Sequence, residues 1–386
     1  MILPLGQSCP QSNLNRSDIK LIFVILITML ILGIESSCDE TAAAVVQDGS
    51  KILSSVIASQ IDLHRPWGGV VPELASREHL VRIDPIVQQA IEKAGINLSD
   101  LDAIAVTQGP GLVGSLLVGI CYAKALAYSL GVPLVPVNHI EGHVYSVVFD
   151  NTPVRYPALA LIVSGGHTNI FHIPREGNYK VVSRTRDDAA GEAFDKVAKM
   201  LGLGYPGGPV IEEISRRGNA KKFSFPQAKI SDGRPDLSFS GLKTAVTRYL
   251  REKNIRPIEG HGTASEDVRD VAASFQEAVV KALIGTLEKL TLNLEPKTLI
   301  VAGGVACNGR LREEAVLLGH RRGIPVLFPT RHLSTDNAAM IAAAGYFHFE
   351  QGYRADLRLT ADISMRLQNL ENEDEELRRK KVRYRL

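Results

Sequence analysis

LILGIESSCDETAAAVVQDGSKILSSVIAS (30–59) decides how the chain is to be read. An apolar run ends in a small polar turn, a second apolar run ends at Asp48-Gly49, and a third leads into a helical pattern, so the segment predicts a three-stranded antiparallel meander. LALIVSGGHTNIFHIPREGNYKVVSR (159–184) has the same order: apolar strand, Ser-Gly-Gly-His turn, strand, Gly-Asn turn, strand. A repeated opening of this kind predicts two lobes of one plan.

After each meander the pattern changes to alternating helices and strands. In the first half it predicts a helix near 74–93, a strand at 103–107, a helix at 115–130 and a strand at 134–138. In the second it predicts helices near 191–202, 207–217, 239–252 and 267–291, a strand at 298–302, a helix at 309–319, a strand at 325–328 and a helix at 336–350. The fold class is therefore α/β, with mixed sheets in duplicated ribonuclease-H-like lobes. This arrangement resembles the two-lobed actin-like ATPase (ASKHA) superfold of actin, Hsp70 and the sugar kinases, which holds a nucleotide between its lobes. The division expected is 29–154 for the first lobe and 155–365 for the second, with 1–28 as an extension outside the fold and 366–386 as a charged tail.

Composition limits the functional classes. The 386 residues suffice for two or three domains with a substantial core. With 44 Lys+Arg against 42 Asp+Glu the net charge is +2, so contact with nucleic acid has to come from local patches. The four cysteines, Cys9, Cys38, Cys121 and Cys307, are scattered without a CxxC pair, which fits a reducing compartment and excludes a disulfide framework. Leu21 to Ile34 (LIFVILITMLILGI) is shorter than the roughly 20 residues a membrane-crossing helix needs. It reads as a buried first strand with a leader before it, and no membrane association is expected. The tail ENEDEELRRKKVRYRL (371–386) reads as a solvated segment.

Chemistry is concentrated at strand-to-helix junctions. In VNHIEGHVYS (137–146), His139 and His143 are four apart, which places both imidazoles on one helical face where they can converge on a divalent ion. Asp336 in LSTDNAAM (333–340) stands at another such junction and offers a third donor. Two imidazoles and a carboxylate with open positions suit Fe(II) or Zn(II) acting as a Lewis acid. A zinc-protease reading fails because HExxH needs its Glu directly after the first His, and Glu141 comes one position later, on the opposite side of the helix.

Four glycine-rich segments, GPGLVGS (109–115), SGGHT (164–168), GYPGGP (204–209) and AGGVACN (302–308), each fall at a strand end or helix start. Singly each is a structural turn; together they predict backbone N–H groups lining a nucleotide cleft. GPGLVGS lacks the Lys-Ser/Thr ending of a P-loop. Asp195 and Glu212, on adjoining predicted helices, could accept from ribose hydroxyls or an adenine amine, or be surface acids. Asn308 could bond a nucleotide or serve as a helix N-cap.

The ordered set GIESSCDETAAAVV (33–46), PELASREH (72–79), VTQGPGLVGSLLVG (106–119), NHIEGH (138–143), LIVSGGHT (161–168), GEAFDKVAKMLGLGYPGGP (191–209), SFSGLKTAV (238–246), VAGGVACNGRLR (301–312) and STDNAAMIAAAG (334–345) resembles the TsaD family, which makes N6-threonylcarbamoyladenosine in tRNA. The resemblance covers Leu30 to about Leu367. It implies that His139, His143 and Asp336 hold one divalent metal ion, Fe(II) before Zn(II). It places Ile162, Val163, Ser164, Gly165 and Gly166 along a bound adenylate, Asp195 and Glu212 at its sugar and nearby polar atoms, Gly208 where backbone approaches closely, and Asn308 on the nucleotide. Ser36 and Cys38 fall near the cleft.

The implied reaction moves threonylcarbamoyl from threonylcarbamoyl-AMP, made by a TsaC-type synthase, to N6 of adenosine 37 in tRNAs reading codons that begin with adenine. The implied partners are tRNA, with TsaB and TsaE for a bacterial, cytoplasmic protein, or a second copy of the chain for one in an organellar matrix. The first-lobe helices are the expected contact. Basic clusters at Arg216, Arg217, Lys221 and Lys222, at Arg310, Arg312, Arg321 and Arg322, and in the tail at Arg378 to Arg385 are candidate tRNA contacts. A small-molecule kinase of the same superfold is the alternative, opposed by a His/His/Asp group that phosphoryl transfer to a sugar does not require. A nucleotide-gated binding protein would need a further domain that the residues after 367 cannot form.

Overall fold

The structure is a computed structural model, and it describes residues 28–150, 153–228, 230, 232–258 and 263–367. Two five-stranded mixed sheets form its frame. The first is built from β1 (Leu30–Glu35), β2 (Glu40–Gln47), β3 (Lys51–Ser59), β4 (Ala103–Gly109) and β5 (Leu134–Asn138), in the order β3-β2-β1-β4-β5. The second contains β6 (Ala158–Val163), β7 (Thr168–Ile173), β8 (Lys180–Arg184), β9 (Thr298–Ala302) and β10 (Val326–Leu327), in the order β10-β9-β6-β7-β8. Each opens with an antiparallel meander and adds two parallel strands beside its first strand. The sequence echo is thus a duplicated topology. The first hairpin turns at Asp48 and Gly49, whose φ values of 50° and 66° match the right-handed twist of paired strands.

The helices are α1 (Ile61–His64), α2 (Pro72–Ala94), α3 (Val113–Leu130), α4 (His139–Tyr145), α5 (Ala190–Leu201), α6 (Gly207–Ser215), α7 (Ser240–Glu252), α8 (Glu266–Leu294), α9 (Gly309–Arg322), α10 (Arg331–Ser334) and α11 (Ala338–Glu350). Alternating side chains of β1 serve two cores, as the two-residue period requires. Leu32 and Ile34 pack with Ile83, Ile86 and Val87 of α2 and Leu116 and Ile120 of α3. Ile31, on the other face, packs with Ala338 to Ala344 of α11. In the second sheet Leu159, Leu161 and Val163 meet Phe194 of α5 and Phe275 and Val279 of α8, whereas Ala158, Ala160 and Ile162 meet Ile140 and Val144 of α4.

The two helices between the sheets therefore cross over. Helix α4 follows the last strand of the first sheet yet covers the second, and α11 follows the last strand of the second yet covers the first. Helix α11 falls within the expected 155–365 division but is seated on the first sheet. Gly33 of β1 permits this close seating, since a Cβ there would meet the Ala338 carbonyl oxygen at 2.2 Å. Gly142 on α4 likewise faces Ile341 and Met340 of α11. The start of α4 and the residue before α11 are brought together as a result.

Helix α3 is long and apolar enough to cross a membrane on length and composition. One face of it, with Leu116, Ile120, Ala123 and Ala127, is buried against the first lobe. The leader (1–27), residues 21–27 of the apolar run, and the tail from 368 lie outside the described residues.

Candidate metal and nucleotide cleft

Asn138 ends β5 and caps α4, its Oδ1 accepting from Ile140 N (2.9 Å) and Glu141 N (3.4 Å). That cap fixes the first helical turn, so His139 and His143 stack one turn apart with ring centroids 4.9 Å apart at 80°. Asn337 does the same for α11: its Oδ1 accepts from Met340 N (3.0 Å), and its Nδ2 donates to Leu333 O (3.1 Å) and Thr335 O (2.8 Å). The loop carrying Asp336 is pinned on both sides by these bonds. Asp336 Oδ1 lies 3.5 Å from His139 Nε2 and 3.2 Å from His143 Nε2.

Donor atoms bound at about 2.1 Å to one ion sit roughly 3.0–3.4 Å apart in octahedral or tetrahedral geometry. The 3.2 Å separation falls in that range and the 3.5 Å one lies just above it, and all three donors lie within 4.8 Å of one another. His143 is fully buried, and neither of its ring nitrogens has a satisfactory hydrogen bond among the described residues. A buried, unsatisfied imidazole is costly unless something else takes its lone pair. The residues fit a divalent cation.

The electrostatics agree. Burial alone would raise the Asp336 carboxyl, yet the His139 charge and the His143 contact hold it far below the ordinary carboxylate range. Burial would lower His139, but Asp336 and Glu35 push it up to about 9. Glu35 is held below its usual value, against its burial, by His139. His167 goes the other way: burial, then the neighbouring His139 and His143, push it down to about 3, so its ring is neutral at physiological pH.

The triad borders a cavity of about 1120 Å³ between the lobes. His139 and Asp336 stand on its wall, and so do Ser164, Gly165, Gly166, Asp195, Gly208, Glu212 and Asn308. Ile162 and Val163 are placed otherwise. Both side chains are fully buried on opposite faces of β6 and do not line the cavity.

Asp195 Oδ1 accepts from Gly207 N (2.7 Å) and Glu212 Oε1 from Gly309 N (3.2 Å), so each acid is anchored through one oxygen to the glycine that starts a helix. Asn308 turns out to be the N-cap of α9, its Oδ1 accepting from Leu311 N at 3.0 Å while its Nδ2 donates to Gln276 Oε1 at 2.7 Å. It also lines the cavity, so the two sequence readings of this residue are compatible. Burial pushes Asp195 up to about 6 against the pull of the Gly207 N–H.

Glu141 is outside the cavity. Its Oε2 is 2.7 Å from Nε2 of His348 on α11, which removes it from any hydrolytic role. Of the basic clusters, Arg310 is tied to Glu277 and Glu314, Arg321 and Arg322 to Glu288, and Arg216 to Glu213. The Arg312 guanidinium donates to the Ala306 and Pro329 carbonyls. Most of these arginines are thus paired with acids or carbonyls of the second lobe, whereas Lys221 and Lys222 are exposed. Arg331 is the one lysine or arginine on the cavity wall among the described residues.

Sequence reasoning missed His167, which it quoted only as part of a turn, as well as Glu35 and Tyr205. The signal available for His167 was its place directly after the Gly-Gly pair, at the end of the second meander's first strand, where the duplicated topology points toward the cleft.

Comparison with known proteins places this geometry. A family model described as TsaD, tRNA N6-adenosine threonylcarbamoyltransferase, matches residues 51–343. Proteins named tRNA N6-adenosine threonylcarbamoyltransferase are 50% identical in Clostridium perfringens over 340 residues (88% of this chain, 98% of that one) and 51% identical in Symbiobacterium thermophilum over 332 residues (86% and 95%). Among solved structures, HypF of T. kodakarensis is similar at a TM-score of 0.55 with 14% identity, covering 86% of this chain and 49% of its own. That likeness concerns the fold alone, and it is to the two-lobed actin-like class.

Proposed function

Because the chain belongs to the TsaD family of tRNA N6-adenosine threonylcarbamoyltransferases, we propose that it transfers the threonylcarbamoyl group of threonylcarbamoyl-AMP to N6 of adenosine 37, in tRNAs reading codons that begin with adenine. The observation that carries the reading is the meeting of His139 and Asp336, on the wall of a cavity otherwise lined by glycine turns and carboxylates, with His143 buried directly behind them. A sugar kinase has no need of that group, and the kinase alternative is not favoured.

The difficulty in the reaction lies with the nucleophile, since the lone pair of an adenine amine is delocalised into the ring. Placement against the acyl carbon and stabilisation of the charge that grows on oxygen have to supply the rate. Backbone N–H groups of Gly165 and Gly166 and the carboxylates of Asp195 and Glu212 would seat the adenylate, with Ser164 and Asn308 beside them. Gly208 leaves room for the ligand, because no atom lies within 4 Å of where its Cβ would be. His139, His143 and Asp336 would hold one divalent ion, which the donor set leaves as Fe(II) or Zn(II) and the resemblance to the family favours as Fe(II). When bound, the ion supplies Lewis acidity toward a carbonyl or phosphoryl oxygen.

The donor would come from a TsaC-type synthase. The relatives cited are bacterial, which supports a cytoplasmic protein working with TsaB and TsaE, and an organellar homologue would pair with itself. The face of α2 and α3 suits such a contact. Leu80 (66% exposed), Val81 (65%), Val113 (56%) and Leu117 (38%) form an apolar surface on it.

The test is reconstitution with labelled threonine, bicarbonate, ATP, the synthase, TsaB, TsaE and unmodified tRNA. Label should enter tRNA with wild-type protein and not with His139→Ala or Asp336→Ala. Label that enters equally with both variants, or ATP-dependent phosphorylation of a sugar, would overturn the reading.

A further inference from the structure

Glu35 ends β1, and its side chain is completely buried although no lysine or arginine among the described residues pairs with it. Three donors from three different segments converge on its carboxylate. Ser37 N donates to Oε1 at 2.5 Å, Thr107 Oγ1 of β4 donates to Oε2 at 2.7 Å, and His139 Nδ1 lies 2.9 Å from Oε2. The order β1-β4-β5 explains the reach. The carboxylate passes over the C-terminal end of β4 to meet the first residue after β5, so one side chain joins three neighbouring parallel strands at the edge where ligands bind.

An ionised carboxylate can only accept, so Nδ1, the ring nitrogen facing it, keeps its proton, and Nε2 is the nitrogen that gives up its proton and offers a lone pair when an ion binds. That other nitrogen, Nε2, is the atom facing Asp336 at 3.5 Å. His143 has no such support: its Nδ1 is buried without a hydrogen-bond partner among the described residues.

We propose that Glu35, braced by Thr107 and Ser37, is a positioning residue for the metal centre: it fixes the tautomer and rotation of His139 and makes that imidazole the stronger of the two nitrogen donors. A carboxylate behind a metal-bound imidazole raises its basicity, and losing such a partner weakens metal affinity by about 10–100-fold. The brace keeps Glu35 from turning away when the ion is absent. The inference rests on the reading that His139, His143 and Asp336 hold a metal, and the experiment separates the two.

Zn(II) and Co(II) affinities are measured by chelator competition on full-length wild-type protein, Glu35→Gln, Thr107→Val and His143→Ala, alongside thermal melts of the metal-free proteins. Imidazole 15N shifts, read above the pH at which His139 gives up its second proton, report its tautomer. Glu35→Gln is isosteric and keeps an acceptor but not the charge; it should weaken both metals by about 10–100-fold, and lower the metal-free melt because its buried pairing with His139 is lost. Thr107→Val keeps the shape and should weaken binding by a smaller factor, with His139 no longer a single Nδ1–H tautomer. A purely structural role for Glu35 would lower the melt and leave the affinity alone, which would overturn the proposal. So would wild-type affinity in both variants, or an Nε2–H tautomer in the wild type. Should Glu35→Gln fail to fold, Thr107→Val decides. Wild-type protein that binds neither metal, or His143→Ala that binds as wild type does, refutes the metal reading itself.

Discussion

Oδ1 of Asp336 stands 3.2 Å from Nε2 of His143, an approach made by two helices that each cover the sheet of the other lobe. The contact belongs to the site and equally to the junction between the lobes. Asp336→Ala should therefore lose bound metal and reduce transfer by at least about 100-fold, since it removes the only anionic donor of the three. Metal content of protein purified without chelators and label incorporated into tRNA are the two measurements. Chelation of the wild type should reproduce the loss and added metal reverse it, whereas the variant should not respond.

Much of this was legible in the sequence, for reasons that particular residues make plain. Asp48-Gly49 and Gly177-Asn178 mark the hairpin turns of two meanders whose strands are short apolar runs, so the duplicated topology follows from local chemistry. His139 and His143 are legible because a one-turn spacing needs no tertiary information. The rest depends on long-range assembly. That Glu35 reaches across β4 to His139 follows from strand order, and strand order is not written in any window of sequence. The seating of α11 on the first sheet is carried by alanines, whose small size shows close approach but not to what. Ile162 and Val163 lie in a matching motif, yet strand alternation sends their side chains into two cores. Arginines that read as a basic patch are consumed by Glu277, Glu288 and Glu314, which are distant in sequence from some of them and close in space.

Asp195 predicts a pH dependence with a definite sign. Its carboxyl is pushed up to about 6 from 3.8, so between those values the folded protein keeps a proton that the unfolded chain has released. Stability from this group is greatest at low pH and falls as pH rises through about 6, where an ionised, partly desolvated carboxylate is forced on the fold. Asp195→Asn keeps an acceptor for Gly207 N–H and removes the charge. At pH 7.5 it should be more stable than wild type, by at most about 3 kcal/mol at roughly 1.4 kcal/mol per unit. It should also bind the donor nucleotide several-fold more weakly, because a charged acceptor holds a hydroxyl more firmly than an amide does. Melting curves and nucleotide titrations at pH 5 and 7.5 check both, and the difference between the two proteins should shrink at the lower pH.

Gly207 and Gly208 are adjacent and should respond in opposite ways. A Cβ on Gly207 would fall 2.5 Å from Phe194 O and 2.6 Å from the Asp195 Cα, backbone atoms that cannot move aside. Gly207→Ala should destabilise the protein by about 1–3 kcal/mol, as overpacking does. A Cβ on Gly208 meets nothing within 4 Å and points into the cavity wall's open space. Gly208→Ala should melt like the wild type and raise KM for threonylcarbamoyl-AMP, since only the ligand would encounter the methyl. Equal melting temperatures for the two variants would contradict this division of roles.

The open face of α2 and α3 carries the last prediction. Ser76 lies against Gly114, and Tyr122 Oη donates to Asp84 at 2.8 Å, so the two helices run side by side with Leu80 one turn from each contact. Leu80 and Leu117 then share one apolar surface with Val113, and Tyr128, 75% exposed, stands further along α3. Contiguous apolar area of this kind marks a protein contact more often than it marks idle surface. Leu80→Glu and Leu117→Glu place charge where the unbound protein already meets water, so their melting temperatures should stay within a degree or two of wild type, corresponding to about 0.5 kcal/mol or less. Burying that charge in an interface without a counter-ion should cost at least about 100-fold in affinity for a TsaB-type subunit, or for a second copy of the chain. Sedimentation of the chain alone and with TsaB distinguishes the two partners. Unchanged association in both variants would move the contact to another face, and transfer activity that survives while association is lost would make the contact dispensable for chemistry.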